Sequence, residues 1–222
     1  MSPDQQIARC VTRVMLCEDD PRYARLLTKV LQQADDLELC FWAHSGEDAC
    51  KRVPEKNPDL LLLDLELTGI NGLQVLDRVM RLPRAPEVLI LTSFADQDKV
   101  FQAIKAGAAG YLIKGLAPAR LQNAIREVMD GGTVIEPSLA KRFWNYFASV
   151  QGQQDDVATL TADELEVLTL VAHGLTNPEA AQTLGRPRRA IKAHLEQIYR
   201  KMGVRSRVEA TVKALKAGWI EL

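Results

Sequence analysis

Pro58-Asp59-Leu60-Leu61-Leu62-Leu63-Asp64 is the stretch that decides the fold of this chain. Four consecutive aliphatic residues between acids predict a short strand buried on both faces, as a parallel sheet requires. The same pattern recurs on either side. Residues 14–17 form an apolar run that ends on Glu18-Asp19-Asp20. Pro21 then opens a helix with Leu26, Leu27, Val30 and Leu31 on one side. Proline fits a first turn, and Asp20 is placed to cap it. Residues 37–43 predict a second strand, and Ser45 starts a short helix. Beyond Asp64, Gly69 and Gly72 mark a turn, after which Leu73, Leu76 and Met80 recur with helical period. Residues 88–91 predict a fourth strand, with Val100 and Ile104 on the helix after it. Residues 110–113 predict a fifth, followed by a helix from Pro118 with Leu121, Ile125 and Val128 on one face. Five alternating strand-helix units predict an α/β fold whose parallel sheet is covered by helices on both sides.

Gly131-Gly132 closes this unit. Residues 137–150 carry Leu139, Phe143, Phe147 and Val150 at helical spacing, and residues 151–159 are polar, as in a linker. The remainder predicts helices only. Thr161-Ala162-Asp163-Glu164 and Thr176-Asn177-Pro178-Glu179 have capping-box spacing, and Gly174, Gly185, Gly203 and Gly218 punctuate four helices. The expected division is a first domain over 12–130, a linker with a short aromatic-rich helix over 131–158, and a small all-α domain over 159–222.

With 47% hydrophobic and 26% charged residues among 222, the chain has the composition of a globular protein rather than a disordered or fibrous one. The four cysteines, Cys10, Cys17, Cys40 and Cys50, lack C-x-x-C spacing and any histidine at metal-ligand spacing, so a reduced compartment is expected. The polar start of the chain and the shortness of its aliphatic runs point to a cytoplasmic protein with no membrane partner. The net charge of −1 conceals an asymmetry. Residues 160–222 carry ten basic and seven acidic side chains, and residues 186–207 hold eight Arg or Lys against the single acid Glu196. A basic cluster on a helical pattern points to an anionic partner.

On a parallel sheet, Glu18, Asp19, Asp64, Thr92 and Lys114 all fall at strand ends along one edge, where such sheets bind ligands. Three clustered carboxylates repel, and an oxygen-preferring divalent cation such as Mg2+ relieves this. Lys114 supplies a point charge suited to a phosphoryl oxygen, and Thr92 a hydroxyl donor. A carboxylate beside metal, lysine and threonine is a candidate phosphoryl acceptor. Residues 14–21 (VMLCEDDP), 58–64 (PDLLLLD), Leu91-Thr92-Ser93 and Gly110-Tyr111-Leu112-Ile113-Lys114 together resemble the receiver domain of two-component systems over roughly residues 12–130. The resemblance implies a flavodoxin-like fold with five parallel strands and five helices, and a partner sensor histidine kinase. It implies that Asp64 is the phosphoacceptor and that Asp19 and Asp64 ligate Mg2+. Glu18 would assist through water, and the backbone carbonyl of Glu66 would complete the site. Thr92 and Lys114 would bind the phosphoryl group, and Tyr111 matches the aromatic switch residue. Leu67-Thr68-Gly69 stands where the family usually has Met-Pro-Gly, so a softer loop is expected here. Glu66 and Phe94 rim the expected pocket and predict slow loss of the phosphoryl group.

The C-terminal stretch resembles the NarL/LuxR type of helix-turn-helix. The match runs through Glu164, Glu166-Val167-Leu168, Gly174-Leu175-Thr176-Asn177, Glu179-Ala180-Ala181, Leu184-Gly185, Ile191-Lys192-Ala193-His194-Leu195 and residues 198–207 (IYRKMGVRSR). Arg186-Pro187 and Ala190 depart from the usual residues before and in the recognition helix. The stripe Ile191, Leu195, Ile198 and Met202 predicts core. Lys192, Ala193 and Glu196, on another side, have the chemistry to read base edges. Arg188, Arg189, Arg200, Lys201, Arg205 and Arg207 are expected to hold phosphates. His194 suits a structural hydrogen bond at least as well as a DNA contact. A homodimer on double-stranded operator DNA is expected, with Val208, Thr211, Val212 and Leu215 available as a pairing face.

The reading is therefore a phosphorylation-controlled DNA-binding transcriptional regulator and not an enzyme. Three alternatives stand beside it. Asp64-Leu65-Glu66-Leu67-Thr68 resembles the start of the haloacid-dehalogenase phosphatase motif, but has Glu where that motif has its second Asp. A ligand-sensing transcription factor would need an apolar pocket, which the strand-end acids oppose. An atypical receiver that works without phosphorylation would have little use for the complete constellation.

Overall fold

The computed structural model describes residues 11–93, 97–135 and 160–220. Its first part alternates β1 (Thr12–Cys17), α1 (Pro21–Gln32), β2 (Leu37–Ala43), α2 (Gly46–Lys56), β3 (Leu60–Leu63), α3 (Gly72–Val79), β4 (Glu87–Thr92), α4 (Gln97–Lys105), β5 (Gly110–Ile113) and α5 (Pro118–Met129). A two-residue strand, β6 (Val134–Ile135), follows, and the sheet runs β2-β1-β3-β4-β5-β6. Every pairing is parallel. This is the flavodoxin-like α/β architecture that the sequence predicts. The sixth strand, unforeseen, draws the first part of the expected linker into the sheet. The helix expected over 137–150 and the polar segment 151–159 lie outside the described residues.

The run of four leucines explains itself in this sheet. β3 is central, in register with Val14 to Cys17 on one side and with Glu87 to Ile90 on the other. Side chains alternate across a strand. Leu61 and Leu63 therefore join Met15, Cys17, Val88 and Ile90 in a core under α2, α3 and α4. Leu60 and Leu62 join Val14, Leu16, Leu89 and Leu91 in a second core under α1 and α5. All four leucines are fully buried, so each face needs its own pair.

Local chemistry sets the helix starts near the site. Asp20 caps α1, its Oδ1 accepting from the Arg22 N–H at 2.8 Å, with Pro21 in the first turn. Asn71 and Gln74 form a capping box at α3. Gly72, which follows that cap, lies directly against the β3 exit. A Cβ there would sit 2.2 Å from the Asp64 carbonyl oxygen and 2.6 Å from the Leu65 Cα. Only glycine lets this turn pack so close.

The second part is helical: α6 (Ala162–Ala172), α7 (Asn177–Leu184), α8 (Arg188–Met202) and α9 (Arg207–Lys216). Thr161 and Glu164 close a full capping box at α6. Gly185 and Gly203 end α7 and α8 in the left-handed region, at φ 61° and 64°. Val167, Leu168 and Val171 pack with Ile191, Leu195, Ile198, Met202, Ala210 and Ala214. The stripe expected as core on α8 is core.

The two parts touch. Val208 of α9 packs against the core beneath α2 to α4. The Arg205 guanidinium lies 3.3 Å from Asp77, Arg188 pairs with Asp130, and the Asn177 N–H donates to the Asp130 carbonyl at 2.8 Å.

Gly72→Ala is expected to destabilise the first domain by about 1–3 kcal/mol, the usual cost of overpacking. Urea unfolding of the two chains, followed by circular dichroism, checks this. An unchanged midpoint would show that the turn relaxes freely.

Candidate functional site

The parallel register brings the strand ends β1, β3, β4 and β5 to one edge, and the expected residues meet there. Glu18, Asp19 and Asp64 each offer a carboxylate oxygen within 4.8 Å of the others. Main-chain bonds fix them. The Asp64 N–H donates to the Cys17 carbonyl at 3.0 Å, and the Glu18 N–H to the Ala43 carbonyl at 3.1 Å. The Lys114 N–H donates to the Thr92 carbonyl at 2.7 Å, which ties the lysine to the threonine's strand. Glu18, Asp64 and Thr92 are 1%, 4% and 1% exposed.

Lys114 Nζ lies 2.7 Å from Glu18 and 2.9 Å from Asp64. One ammonium thus faces two buried carboxylates, with Asp19 adjacent. Burial pushes the Glu18 carboxyl above its ordinary range, against the opposing pull of Lys114. Burial acts to lower the Lys114 ammonium, but its hydrogen bonds to Glu18 and Asp64 prevail and hold it above its usual value. The cluster carries more negative charge than the lysine neutralises. An all-oxygen donor set with surplus negative charge fits a hard divalent cation such as Mg2+.

The acceptor loop is held by side chains. Asp64 Oδ1 accepts from the Glu66 N–H at 3.1 Å. Asp19 Oδ2 accepts from the Thr68 N–H at 3.1 Å, and Glu47 Oε1 accepts from the Ile70 N–H at 3.0 Å. Three amides of the loop thus donate to side chains, in the turn that lacks a proline. Glu66 is exposed at the rim. Tyr111, the expected switch residue, is fully buried in β5 between β4 and β6. Phe94 lies outside the described residues. Cys17 is a buried small apolar group, as expected, and burial pushes its thiol far above the ordinary range.

Two neighbours of the pocket escaped the sequence reading. The Trp42 indole N–H donates to the Glu18 carbonyl at 2.8 Å. The Tyr23 ring lies under Lys114 Nζ, 4.7 Å from its centroid. An aromatic residue in the first turn after the acid pair is the one signal that pointed to Tyr23.

On α8, Arg189, Lys192, Ala193, Glu196 and Arg200 are all exposed, clear of the buried stripe. Arg188 and Arg205 are exposed too, each beside a carboxylate of the first domain. Two of the residues expected to hold phosphate have partners within the protein, although Lys201 is exposed. Lys201 Nζ lies 2.6 Å from Glu164, whose side chain is 2% exposed. Arg207 is half-buried and donates to the carbonyls of Val171, Leu175 and Gly131. Spacing alone shows neither set of partners. They lie 32 to 76 positions away along the chain, and only the fold brings them close. His194 Nε2 lies 3.4 Å from Arg186, a structural contact.

The chain resembles known proteins over both of its parts. Residues 14–126 match the response regulator receiver domain, and residues 158–214 match the luxR family of bacterial regulatory proteins. The transcriptional regulatory protein LiaR of Bacillus subtilis is 32% identical, over 91% of this chain and 96% of its own. The nitrate/nitrite response regulator NarL of Escherichia coli K12 is 30% identical, over 90% of this chain and 93% of its own. Among solved structures, the response regulator ChrA of a heme-sensing two-component system is 27% identical. Its match covers 95% of this chain and all of ChrA, with a TM-score of 0.52. A parallel-sheet receiver joined to a LuxR-type helix-turn-helix defines a two-component response regulator. This chain belongs to the NarL/LuxR family of these proteins. Its two domains are those of a DNA-binding transcription regulator. Among the described residues, no helix is long and apolar enough to cross a membrane.

Burial acts to raise Glu164, but Lys201 and the Thr161 cap outweigh it and hold the carboxyl below its usual range. A depressed carboxyl contributes stability that is full above the unfolded pKa and lost as pH falls through the folded one. Thermal melts of the wild type should therefore fall on acidification below about pH 4, near the unperturbed glutamate value. Glu164→Gln is expected to lower stability at pH 7 and to flatten that acid limb. Parallel curves for the two chains between pH 3 and 7 would show that the pair contributes nothing.

Proposed function

We propose that Asp64 accepts a phosphoryl group from a partner histidine kinase, and that this changes dimerisation and operator binding. What supports this reading is Lys114 bridging Glu18 and Asp64 within a cluster of three carboxylates. Asp19, Asp64 and the Glu66 carbonyl would hold Mg2+, with Glu18 acting through water. When bound, the ion supplies neutralising charge for phosphoryl oxygens. A carboxylate oxygen of Asp64 attacks phosphorus, and the bond from phosphorus to the donor's imidazole nitrogen breaks. The imidazole leaves with the electron pair and takes a proton from solvent. Lys114 exchanges Asp64 for a phosphoryl oxygen, and the Thr92 hydroxyl donates to another. Buried Tyr111, on the strand beside Thr92's and two residues before Thr92's partner Ile113, would respond when Thr92 moves.

Incubation with a small phosphodonor and Mg2+ should label the wild type but not Asp64→Asn, and chelation of the metal should abolish labelling. Equal labelling of both chains would overturn the assignment.

For DNA, Lys192, Ala193 and Glu196 face base edges, while Arg188, Arg189, Arg200 and Arg205 hold phosphates. Lys201, exposed and beside a carboxylate like Arg188 and Arg205, stays with the phosphate-facing set, whereas Arg207 is left out because main-chain carbonyls hold its half-buried guanidinium. One recognition helix spans only a few base pairs, so two chains on paired half-sites are required for tight binding. Lys192→Ala is expected to cost about 1–3 kcal/mol and relax one base position. Arg200→Ala should weaken all sequences alike and flatten the salt dependence. Gel-shift titrations on operator variants, with the complex sized by light scattering, check both. A sequence preference altered by Arg200→Ala but not by Lys192→Ala would reverse the assignment.

A further inference from the structure

Phosphoryl transfer as proposed above asks Lys114 to do two things in turn. Before transfer, its ammonium neutralises Asp64. Afterwards it must leave the Asp64 carboxylate for a phosphoryl oxygen. Glu18, buried and 2.7 Å away, competes for the ammonium throughout. Something must keep the ammonium over the pocket without fixing it to one oxygen.

The Tyr23 ring has this geometry. Its centroid lies 4.7 Å from Lys114 Nζ, inside the roughly 6 Å range of a cation–π contact. The ring attracts the ammonium through its negative face, which has no single acceptor atom to lock onto. Lys114 is only 15% exposed on its side chain, so the attraction is little screened. The ring itself is anchored, because Tyr23 packs against the core shared by α1 and α5. Its hydroxyl meets the next residue as well, accepting from the Gly115 N–H at a long 3.5 Å. Gly115 sits at φ +95°, where a side chain would be strained, so the chain turns immediately after the lysine. One side chain of α1 thus grips two consecutive residues at the end of β5.

Resting on that reading of Asp64 as phosphoacceptor, we infer that Tyr23 is a positioning residue for Lys114, holding its ammonium by the ring face while it moves from Asp64 to the phosphoryl group. The ring is the larger part of the grip, and the long hydroxyl contact the smaller.

The test compares Tyr23→Phe and Tyr23→Leu in the full-length protein. The measurements are the rate of labelling by a small phosphodonor with Mg2+, and the affinity for beryllofluoride, a phosphoryl mimic, by calorimetry. Tyr23→Leu is expected to slow labelling and weaken beryllofluoride binding by about 3–10-fold each, the scale of a partly desolvated cation–π contact. Tyr23→Phe should stay within about twofold of the wild type, because the ring face is kept. Affinity for Mg2+ alone should be unchanged in both. In a Lys114→Ala background, Tyr23→Leu should have no further effect on beryllofluoride binding, since the two residues act as one unit. A general packing role would lower binding in that background too, and would overturn the inference. So would Tyr23→Phe behaving like Tyr23→Leu, or Tyr23→Leu behaving like the wild type. If Tyr23→Leu does not fold, Tyr23→Met takes its place with the same expectations. A wild type that takes no label would sink both this inference and the reading beneath it, whereas a labelled wild type matched by Tyr23→Leu would sink this inference alone.

Discussion

Two buried carboxylates share one ammonium, and much else in the first domain is arranged around that shortage of positive charge. Glu18 and Asp64 sit at the ends of β1 and β3, with Asp19 beside them, and Lys114 reaches both from β5. Burial of each charge is costly unless it is paired and hydrogen-bonded. The parallel register is what makes the pairing possible, since it stacks the four strand ends in line. Gly72 lets α3 close under the acceptor, and Trp42 secures the Glu18 main chain from the neighbouring strand. The fold holds the repelling groups together, and their surplus charge is what equips the pocket for a cation and a phosphoryl group.

The receiver half is legible in the sequence because its signals are local. Leu60–Leu63 can serve only a strand buried on both faces, and the strands around it carry the same kind of apolar run. Once the strands are placed, the edge at which Glu18, Asp64, Thr92 and Lys114 meet follows from parallel topology alone. Charges on helices are another matter. Lys201 and Arg207 have the composition and spacing of phosphate-binding residues, yet one is held by a buried glutamate and the other by main-chain carbonyls. Nothing in the immediate neighbours of Arg207, which is half-buried, distinguishes it from Arg189, Arg200 or Lys201, which are exposed. The difference lies in which groups the folded chain brings opposite each one. Val134–Ile135 escaped notice for a related reason: a two-residue strand has no period to detect.

The contact between the two domains is drawn from the same stock of cations. Arg188 meets Asp130 and Arg205 meets Asp77, so two arginines on the DNA-binding half are matched to acids on the receiver. Exposed ion pairs of this kind contribute little each and weaken with salt. Among the described residues, Val208 also packs against the receiver core. Charge pairing is thus one part of how these faces meet, beside the main-chain bonds from Asn177 to Asp130 and from Arg207 to Gly131.

Thr68 occupies the position where related receivers usually carry a proline. Proline has no amide hydrogen, so a turn stiffened by it is rigid whatever happens in the pocket. Here the amide exists, and it donates to Asp19, one of the acids poised for a cation. Rigidity in this turn is therefore conditional. The hydrogen on residue 68 is shielded while Asp19 accepts it and exposed to solvent when that carboxylate turns away. One main-chain atom thus serves as a gauge of what Asp19 is doing, at the middle of three amides by which side chains hold the loop.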